Sequence, residues 1–111
     1  IAQGYHPLAR PHDKLVRDKM CEIIESHGGV AITYTADMVE YKERLRAKLV
    51  EEVLEYLESG EMEELADILE VIHSLTALHG TPREQLQLIQ ARKREERGGF
   101  DNKIVLKETR V

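Results

Sequence analysis

Cysteine, proline and aromatic residues are scarce in this chain, and each scarcity excludes a class of structure. The one cysteine, Cys21, cannot form an internal disulfide, and no CxxC pair offers a zinc site. Aromatic residues make up 5% of the sequence and charged residues 33%, which favours a helical bundle over a β-sandwich or barrel. No apolar run approaches the length of a membrane span, and no signal peptide is visible. We therefore expect a cytoplasmic protein with no membrane partner.

The length and the net charge of the chain further limit the kinds of partner that it is expected to bind. A chain of 111 residues forms at most one small domain, and a bundle of that size buries little apolar surface, so we expect self-association. The formal net charge of −5 argues against a broad basic surface for a nucleic acid polymer. An acidic protein can still bind a polyphosphate if a bound cation reverses the local field.

Hydrophobic periodicity and turn residues divide the chain into a tail, four helices and two short extended segments. Residues 1–12 contain Gly4, Pro7 and Pro11 without helical period, so we expect an N-terminal tail before one domain over residues 13–108. The predicted helices span residues 14–27, 37–58, 61–79 and 82–97, the last opened by a Thr81-Pro82-Arg83-Glu84 capping box. Residues 30–35 and 103–107 have strand-like composition and are candidates for a small two-stranded patch.

A carboxylate interrupts the apolar stripe of the second predicted helix. The residues of this stripe recur at steps of three or four: Met38, Tyr41, Leu45, Leu49, Glu52 and Tyr56. A lone carboxylate at the position of Glu52 would lose its charge or destabilise the fold by several kcal/mol unless it were paired or metal-bound.

The third predicted helix also combines acids with an apolar stripe. Glu64 and Asp67 lie near its start, and its apolar residues, Leu65, Ile68, Leu69, Ile72 and Leu75, predict a helix enclosed by neighbours. Only Ser59-Gly60 separates the two helices, which predicts an antiparallel hairpin. Reflection about this break places Glu55 level with Glu64 and Glu52 level with Asp67.

Four carboxylates placed in this way repel one another at neutral pH. A hard divalent cation removes the repulsion, and oxygen ligands indicate Mg²⁺ or Mn²⁺. Acidic clusters on helices are nevertheless most often solvated surfaces. The spacing alone leaves both interpretations open.

The acidic motifs also resemble those of a known family. Glu51-Glu52-Val53-Leu54-Glu55 followed by Glu64-Leu65-Ala66-Asp67 resembles the ExxE…ExxD signature of MazG-like nucleotide pyrophosphohydrolases. Two more stretches, Lys14-Leu15-Val16-Arg17-Asp18-Lys19 and Glu96-Arg97-Gly98-Gly99-Phe100, are similar to the branch that contains phosphoribosyl-ATP pyrophosphohydrolase. The resemblance covers about residues 13–108. One departure is the spacing between Glu55 and Glu64, which is shorter than in many MazG proteins and leaves the substrate class open.

The resemblance implies an all-α, four-helix MazG-like bundle completed by dimerisation, as a homodimer or a higher homo-oligomer. It implies hydrolysis of a nucleoside triphosphate between the α and β phosphates, with release of pyrophosphate and a nucleoside monophosphate. Glu52, Glu55, Glu64 and Asp67 match the Mg²⁺ ligands, and Glu51 matches an acidic position that holds a second metal or the attacking water. Two alternatives are phosphoribosyl-ATP pyrophosphohydrolase of histidine synthesis and a catalytically silent helical dimer that acts as an interaction module.

Pyrophosphate hydrolysis needs a general base and cations that meet the phosphate charge. Glu51 and Glu52 are the candidates for the base. The candidate substrate-binding cations are Lys14 and Arg17 on the first predicted helix, Lys48 beside the ligands, and Lys93, Arg94 and Arg97 late in the fourth helix. Each cation taken singly is also compatible with a solvated surface role, and Arg97 with stabilisation of a helix C-terminus.

Overall fold

The computed structural model describes residues 13–111, and these residues contain helices but no strand. Four α-helices follow one another in this part of the chain: α1 (Met20–Ser26), α2 (Met38–Ser59), α3 (Met62–Leu78) and α4 (Arg83–Arg97). The all-helical class and the four predicted helices are confirmed. The predicted tail, residues 1–12, lies outside the described residues.

Local capping explains where α2 begins and ends. The Asp37 carboxylate accepts a hydrogen bond from the Glu40 backbone N–H at 2.9 Å, so Asp37 is the N-cap that the sequence predicts. Gly60 ends the helix with a φ of +67°, and its N–H donates to the Tyr56 carbonyl at 2.7 Å. Since α3 begins at Met62, only two residues separate the helices, as the Ser59-Gly60 break predicts.

The first helix is shorter than predicted, because α1 begins at Met20 and not at Lys14. Residues 13–19, which we call the strap, precede it in an irregular conformation that opens with a positive φ of 47° at Asp13. Lys14 bonds to Glu51 of α2, and Arg17 bonds to Asp67 of α3. Ion pairs with α2 and α3 therefore hold the strap in this conformation. The helical periodicity of the sequence gives no sign of these contacts.

The predicted two-stranded patch is wrong, because neither residues 30–35 nor residues 103–107 form a strand. Their β-branched side chains are solvated, with Val30 and Ile32 at 84% and 85% exposure and Ile104 and Val105 at 84% and 83%. High β-propensity reflects packing on a half-buried surface, and neither segment has such a surface.

The predicted capping box of α4 is also wrong. The N-cap of α4 is Pro82, which has no side-chain cap, and the Thr81 hydroxyl donates instead to the His79 carbonyl at 3.2 Å. Because Pro82 has extended dihedral angles, the helix starts one residue later than predicted.

The chain divides into two compact units, Ile1–Ile72 and His73–Val111, with the boundary inside α3. Among residues 13–111 only four are buried: Leu45, Glu52 and Val71 in the first unit and Thr76 in the second. Within the single chain, neighbours enclose α3 in part, since Ile68, Ile72 and Leu75 are half-buried whereas Leu65 and Leu69 are 37% and 54% exposed. Within residues 13–111, no helix combines the length and apolarity that crossing a membrane requires.

Candidate metal centre

The hairpin of α2 and α3 brings three acidic side chains together. Glu52, Glu64 and Asp67, which we call the acidic triad, each place one carboxylate oxygen within 4.8 Å of the others. Glu64 and Asp67 are one helical turn apart on α3, and the short break at Gly60 returns the chain so that Glu52 of α2 meets them. Three of the four predicted metal ligands therefore share one site.

Glu52 is the buried member of the triad. The residue is 7% exposed, and its Oε2 has no hydrogen-bond partner among the described residues. Its Oε1 lies 3.4 Å from the Lys48 Nζ. Burial raises the pKa of Glu52, and the neighbouring Glu55 carboxyl raises the same pKa further, while Lys48 lowers it in part. A buried carboxylate oxygen without a partner is unfavourable unless a cation or a hydrogen-bond donor reaches it.

Glu51 differs from Glu52, because lysine ammonium groups donate hydrogen bonds to both of its carboxylate oxygens. The Lys48 ammonium donates to Oε2 at 3.0 Å, and the Lys14 ammonium donates to Oε1 at 3.1 Å. The hydrogen bond from Lys48 lowers the pKa of Glu51, with burial opposing it and Lys14 adding to it. Burial alone would lower the pKa of Lys48, but the hydrogen bond and the charges of Glu51 and Glu52 outweigh burial and raise it. Glu51 therefore carries a stable negative charge beside the triad.

Asp67 is paired with a cation from outside the hairpin. The Arg17 Nη2 donates to Asp67 Oδ1 at 2.6 Å, and the two side chains are 57% and 38% exposed. The strap thus delivers both of its predicted substrate-binding residues, Lys14 and Arg17, to the acids that surround the site. In the structure they contact carboxylates of the protein, and their contact with a substrate stays a prediction.

Arg44 is a further residue of this region that the sequence did not single out. Its guanidinium donates to the Asp13 carbonyl at 2.6 Å, to the Asp13 carboxylate at 3.0 Å and to Glu40 Oε2 at 3.1 Å. The Tyr34 hydroxyl also bonds to Glu40, so Arg44 and Glu40 fix the start of the strap and the segment before α2. The steps of four from Glu40 through Arg44 to Lys48 are the signal from which Arg44 could have been found.

The remaining predicted site residues are not part of the acidic triad. Glu55 lies one turn after Glu52 on α2 and acts on it through the pKa described above. Lys93, Arg94 and Arg97 are exposed on α4, in the unit of His73–Val111. The Arg94 guanidinium lies 3.5 Å from the Asp101 carboxylate. The roles proposed for these four residues stay predictions.

The donor set fits a hard divalent cation. Carboxylate oxygens are the preferred ligands of Mg²⁺ and Mn²⁺, and Oε2 of the buried Glu52 has no hydrogen-bond partner among the described residues. No other group of three His, Cys, Asp or Glu side chains in residues 13–111 has this geometry.

Comparisons with protein-family models, with curated proteins and with solved structures give no match for this chain. The resemblance to MazG-like pyrophosphohydrolases therefore stays a prediction that depends on the motifs at residues 14–19, 51–67 and 96–100.

Proposed function

We propose that this protein is a divalent-metal-dependent hydrolase that cleaves nucleoside triphosphates between the α and β phosphates and releases pyrophosphate and a nucleoside monophosphate. The observation that carries the proposal is the buried Glu52, which has one unpartnered carboxylate oxygen and is a member of the same acidic cluster as Glu64 and Asp67. A solvated acidic surface would not bury one of its members to 7% exposure.

The residues around the triad have complementary roles in this proposal. A bound Mg²⁺ supplies positive charge for the phosphate oxygens and acidifies water. The triad, with Glu55 beside it, holds the metal. Glu51, beside the triad, and Glu52, within it, are the acceptors for the proton of the attacking water.

Cations on the same side of the hairpin meet the charge of the substrate. Lys48 lies between Glu51 and Glu52 and is 17% exposed, so its ammonium group is fixed close to the metal ligands. Lys14 and Arg17 approach from the strap. A polyphosphate bound to a metal at the triad would therefore have three cations within reach.

Release of pyrophosphate from a panel of nucleoside triphosphates with Mg²⁺ tests the proposal. We expect turnover by the wild type and a loss of about 100-fold or more in Glu52→Gln and in Asp67→Asn, the scale of a lost catalytic group. Glu63→Gln, which changes an exposed residue of α3 by the same chemistry, is the matched control and should keep its activity. Retained activity in both site variants would remove the triad from the mechanism.

Phosphoribosyl-ATP belongs in the same panel. Turnover of this compound alone would identify the chain as a phosphoribosyl-ATP pyrophosphohydrolase and exclude a general action on nucleoside triphosphates. The predicted substrate cations serve either compound, since both contain the same triphosphate linkage.

A second candidate, a catalytically silent helical dimer, is favoured by the apolar surface of the first unit. Val50, Leu54 and Leu57 of α2 are 59%, 59% and 71% exposed, and Met62, Leu65 and Leu69 of α3 are 75%, 37% and 54% exposed. Each set recurs at steps of three or four residues, so each forms a continuous helical stripe. Exposed apolar stripes of this kind support self-association, which we also propose for the hydrolase.

Thermal unfolding with millimolar Mg²⁺ or Mn²⁺ separates the hydrolase from the silent module. A ligand that binds only the folded state raises the unfolding midpoint. A midpoint that does not move with either metal, together with no turnover on the panel, would favour the interaction module.

A further inference from the structure

We propose that the strap is an exchangeable counter-ion of the metal site, in which Arg17 pairs with Asp67 in the metal-free protein and yields Asp67 to the incoming divalent cation. The inference rests on the proposed function, because it concerns how the same carboxylates exchange one cationic partner for another. It makes Arg17 a regulator of metal affinity as well as a candidate phosphate ligand.

Arg17 and a metal ion compete for the same carboxylate. The Arg17 guanidinium donates to Asp67 Oδ1 at 2.6 Å, and Asp67 is one of the three residues whose oxygens lie within 4.8 Å of one another. A divalent cation held by that cluster would lie close to a guanidinium that still occupied Oδ1, and like charges at that separation repel. Metal binding and the Arg17–Asp67 ion pair therefore oppose each other.

The exposures of the two side chains allow the exchange. Arg17 is 57% exposed, so it can leave Asp67 without uncovering a buried surface, and Asp67 is 38% exposed, so an ion can approach it from solvent. Glu52 is 7% exposed, and its Oε2 has no partner among the described residues. The buried carboxylate favours the binding of a cation, and the exposed Arg17–Asp67 ion pair is the part of the site that can open.

Two other contacts keep the strap beside the site after Arg17 leaves. Arg44 holds Asp13 through both its carbonyl and its carboxylate, and Lys14 bonds to Glu51, which is not a member of the acidic triad. Release is therefore confined to the part of the strap that follows Lys14. The freed guanidinium stays within reach of an anionic group bound to the metal.

Titration of Mn²⁺, followed by electron paramagnetic resonance and by calorimetry, tests the competition without any substrate. Removal of a competing, partly exposed ion pair should tighten Mn²⁺ binding by about two- to fivefold in Arg17→Gln. Arg17→Lys, which keeps the charge but loses the planar donor, should lie closer to the wild type. Arg46→Gln removes the same charge from an exposed position of α2 that has no ion pair within residues 13–111, and it should bind Mn²⁺ as the wild type does.

A measurement on the wild type does not depend on how the variants fold. The backbone order parameters of residues 15–19, measured by ¹⁵N NMR relaxation, should fall when Mg²⁺ is added, because the strap loses its contact with Asp67. The order parameters of the same residues in Arg17→Gln should be low from the start and respond little to the metal.

The outcomes distinguish this inference from the proposed function. If the wild type binds Mn²⁺ and Arg17→Gln binds it equally or more weakly, or if Mg²⁺ leaves the order parameters of residues 15–19 unchanged, the strap is a fixed structural element and the inference is wrong while the metal site stands. If Arg17→Gln binds Mn²⁺ and the wild type does not, the competition is supported in its strongest form. Absence of binding in both proteins would overturn the metal site and the inference together.

Discussion

Replacement of Glu52 by glutamine keeps the shape of the buried side chain and removes its charge. In metal-free buffer at neutral pH this change has two opposing effects. It removes the 3.4 Å contact with Lys48, a loss of about 0.5–1.5 kcal/mol, because Lys48 keeps its 3.0 Å ion pair with Glu51 and is not left as an unpaired charge. It also replaces the unpartnered charged oxygen, which destabilises the fold by about 1–3 kcal/mol, with a neutral amide whose N–H can donate to the neighbouring Glu55 carboxylate.

The second effect is the larger, so Glu52→Gln should be more stable than the wild type without metal. A net gain of about 1 kcal/mol corresponds to a rise of about 4–8 °C in the unfolding midpoint of a domain of this size. This rise is measured by following thermal unfolding by circular dichroism in the presence of EDTA. Glu58→Gln, the same substitution at an exposed position of α2, is the control and should leave the midpoint unchanged.

The pH dependence of this difference follows from the direction of the pKa shift. Burial raises the pKa of Glu52 in the folded state above its ordinary value of 4.5, so between those two pKa values the folded state binds more protons than the unfolded state. Stability therefore falls as the pH rises through that window. Glu52→Gln lacks this dependence, and its advantage over the wild type should widen from pH 4 towards neutrality.

Mg²⁺ should reverse the order of the two proteins. A ligand at about 100 times its Kd adds about 2.7 kcal/mol to the stability of the wild type, and the variant without the central carboxylate should gain less. A lower midpoint for Glu52→Gln than for the wild type in EDTA at pH 7 would refute the reasoning, because Glu52 would then be satisfied by the protein alone.

Three further substitutions test the parts of the fold that position the site. Arg44→Ala should lower the ¹⁵N NMR order parameters of residues 13–19, because the start of the strap loses its hydrogen bonds to α2, whereas Arg44→Lys should retain part of the order. Leu57→Glu should shift the protein towards monomer in sedimentation velocity, because it places a charge in the exposed apolar stripe of α2. Gly60→Ala should lower the free energy of unfolding by about 1–2 kcal/mol, measured in urea, because a φ of +67° is strained for a residue with a Cβ atom.

Each of these predictions has an outcome that contradicts it. Unchanged order parameters in Arg44→Ala would show that the strap does not depend on α2. An association state of Leu57→Glu equal to that of the wild type would remove the α2 stripe from the proposed interface. Equal stability of Gly60→Ala would mean that the break between α2 and α3 relaxes to another backbone conformation.

The sequence alone predicts the helices wherever local signals are strong. The N-cap at Asp37 and the break at Ser59-Gly60 are set by residues within one turn of the helix ends, so both could be identified before the structure. The same local reasoning fails at Thr81, where the conformation of Pro82 moves the start of α4, and at residues 30–35 and 103–107, where β-propensity has no surface to pack against. β-Propensity describes the conformation that a segment prefers, but the segment forms a strand only if another strand pairs with it.

For the acidic site, too, the sequence determines one part of the arrangement and the tertiary structure determines the rest. The period of α2 and the short break place Glu52 level with Asp67, and helical geometry alone therefore determined that these acids meet. Only the tertiary structure decided that Glu52 is buried with one oxygen unpartnered, that Arg17 bonds to Asp67, and that Arg44 anchors Asp13. The physical reason is range: turns and helical periods depend on neighbours in the chain, whereas burial and ion pairs between residues 50 positions apart depend on how the chain returns on itself.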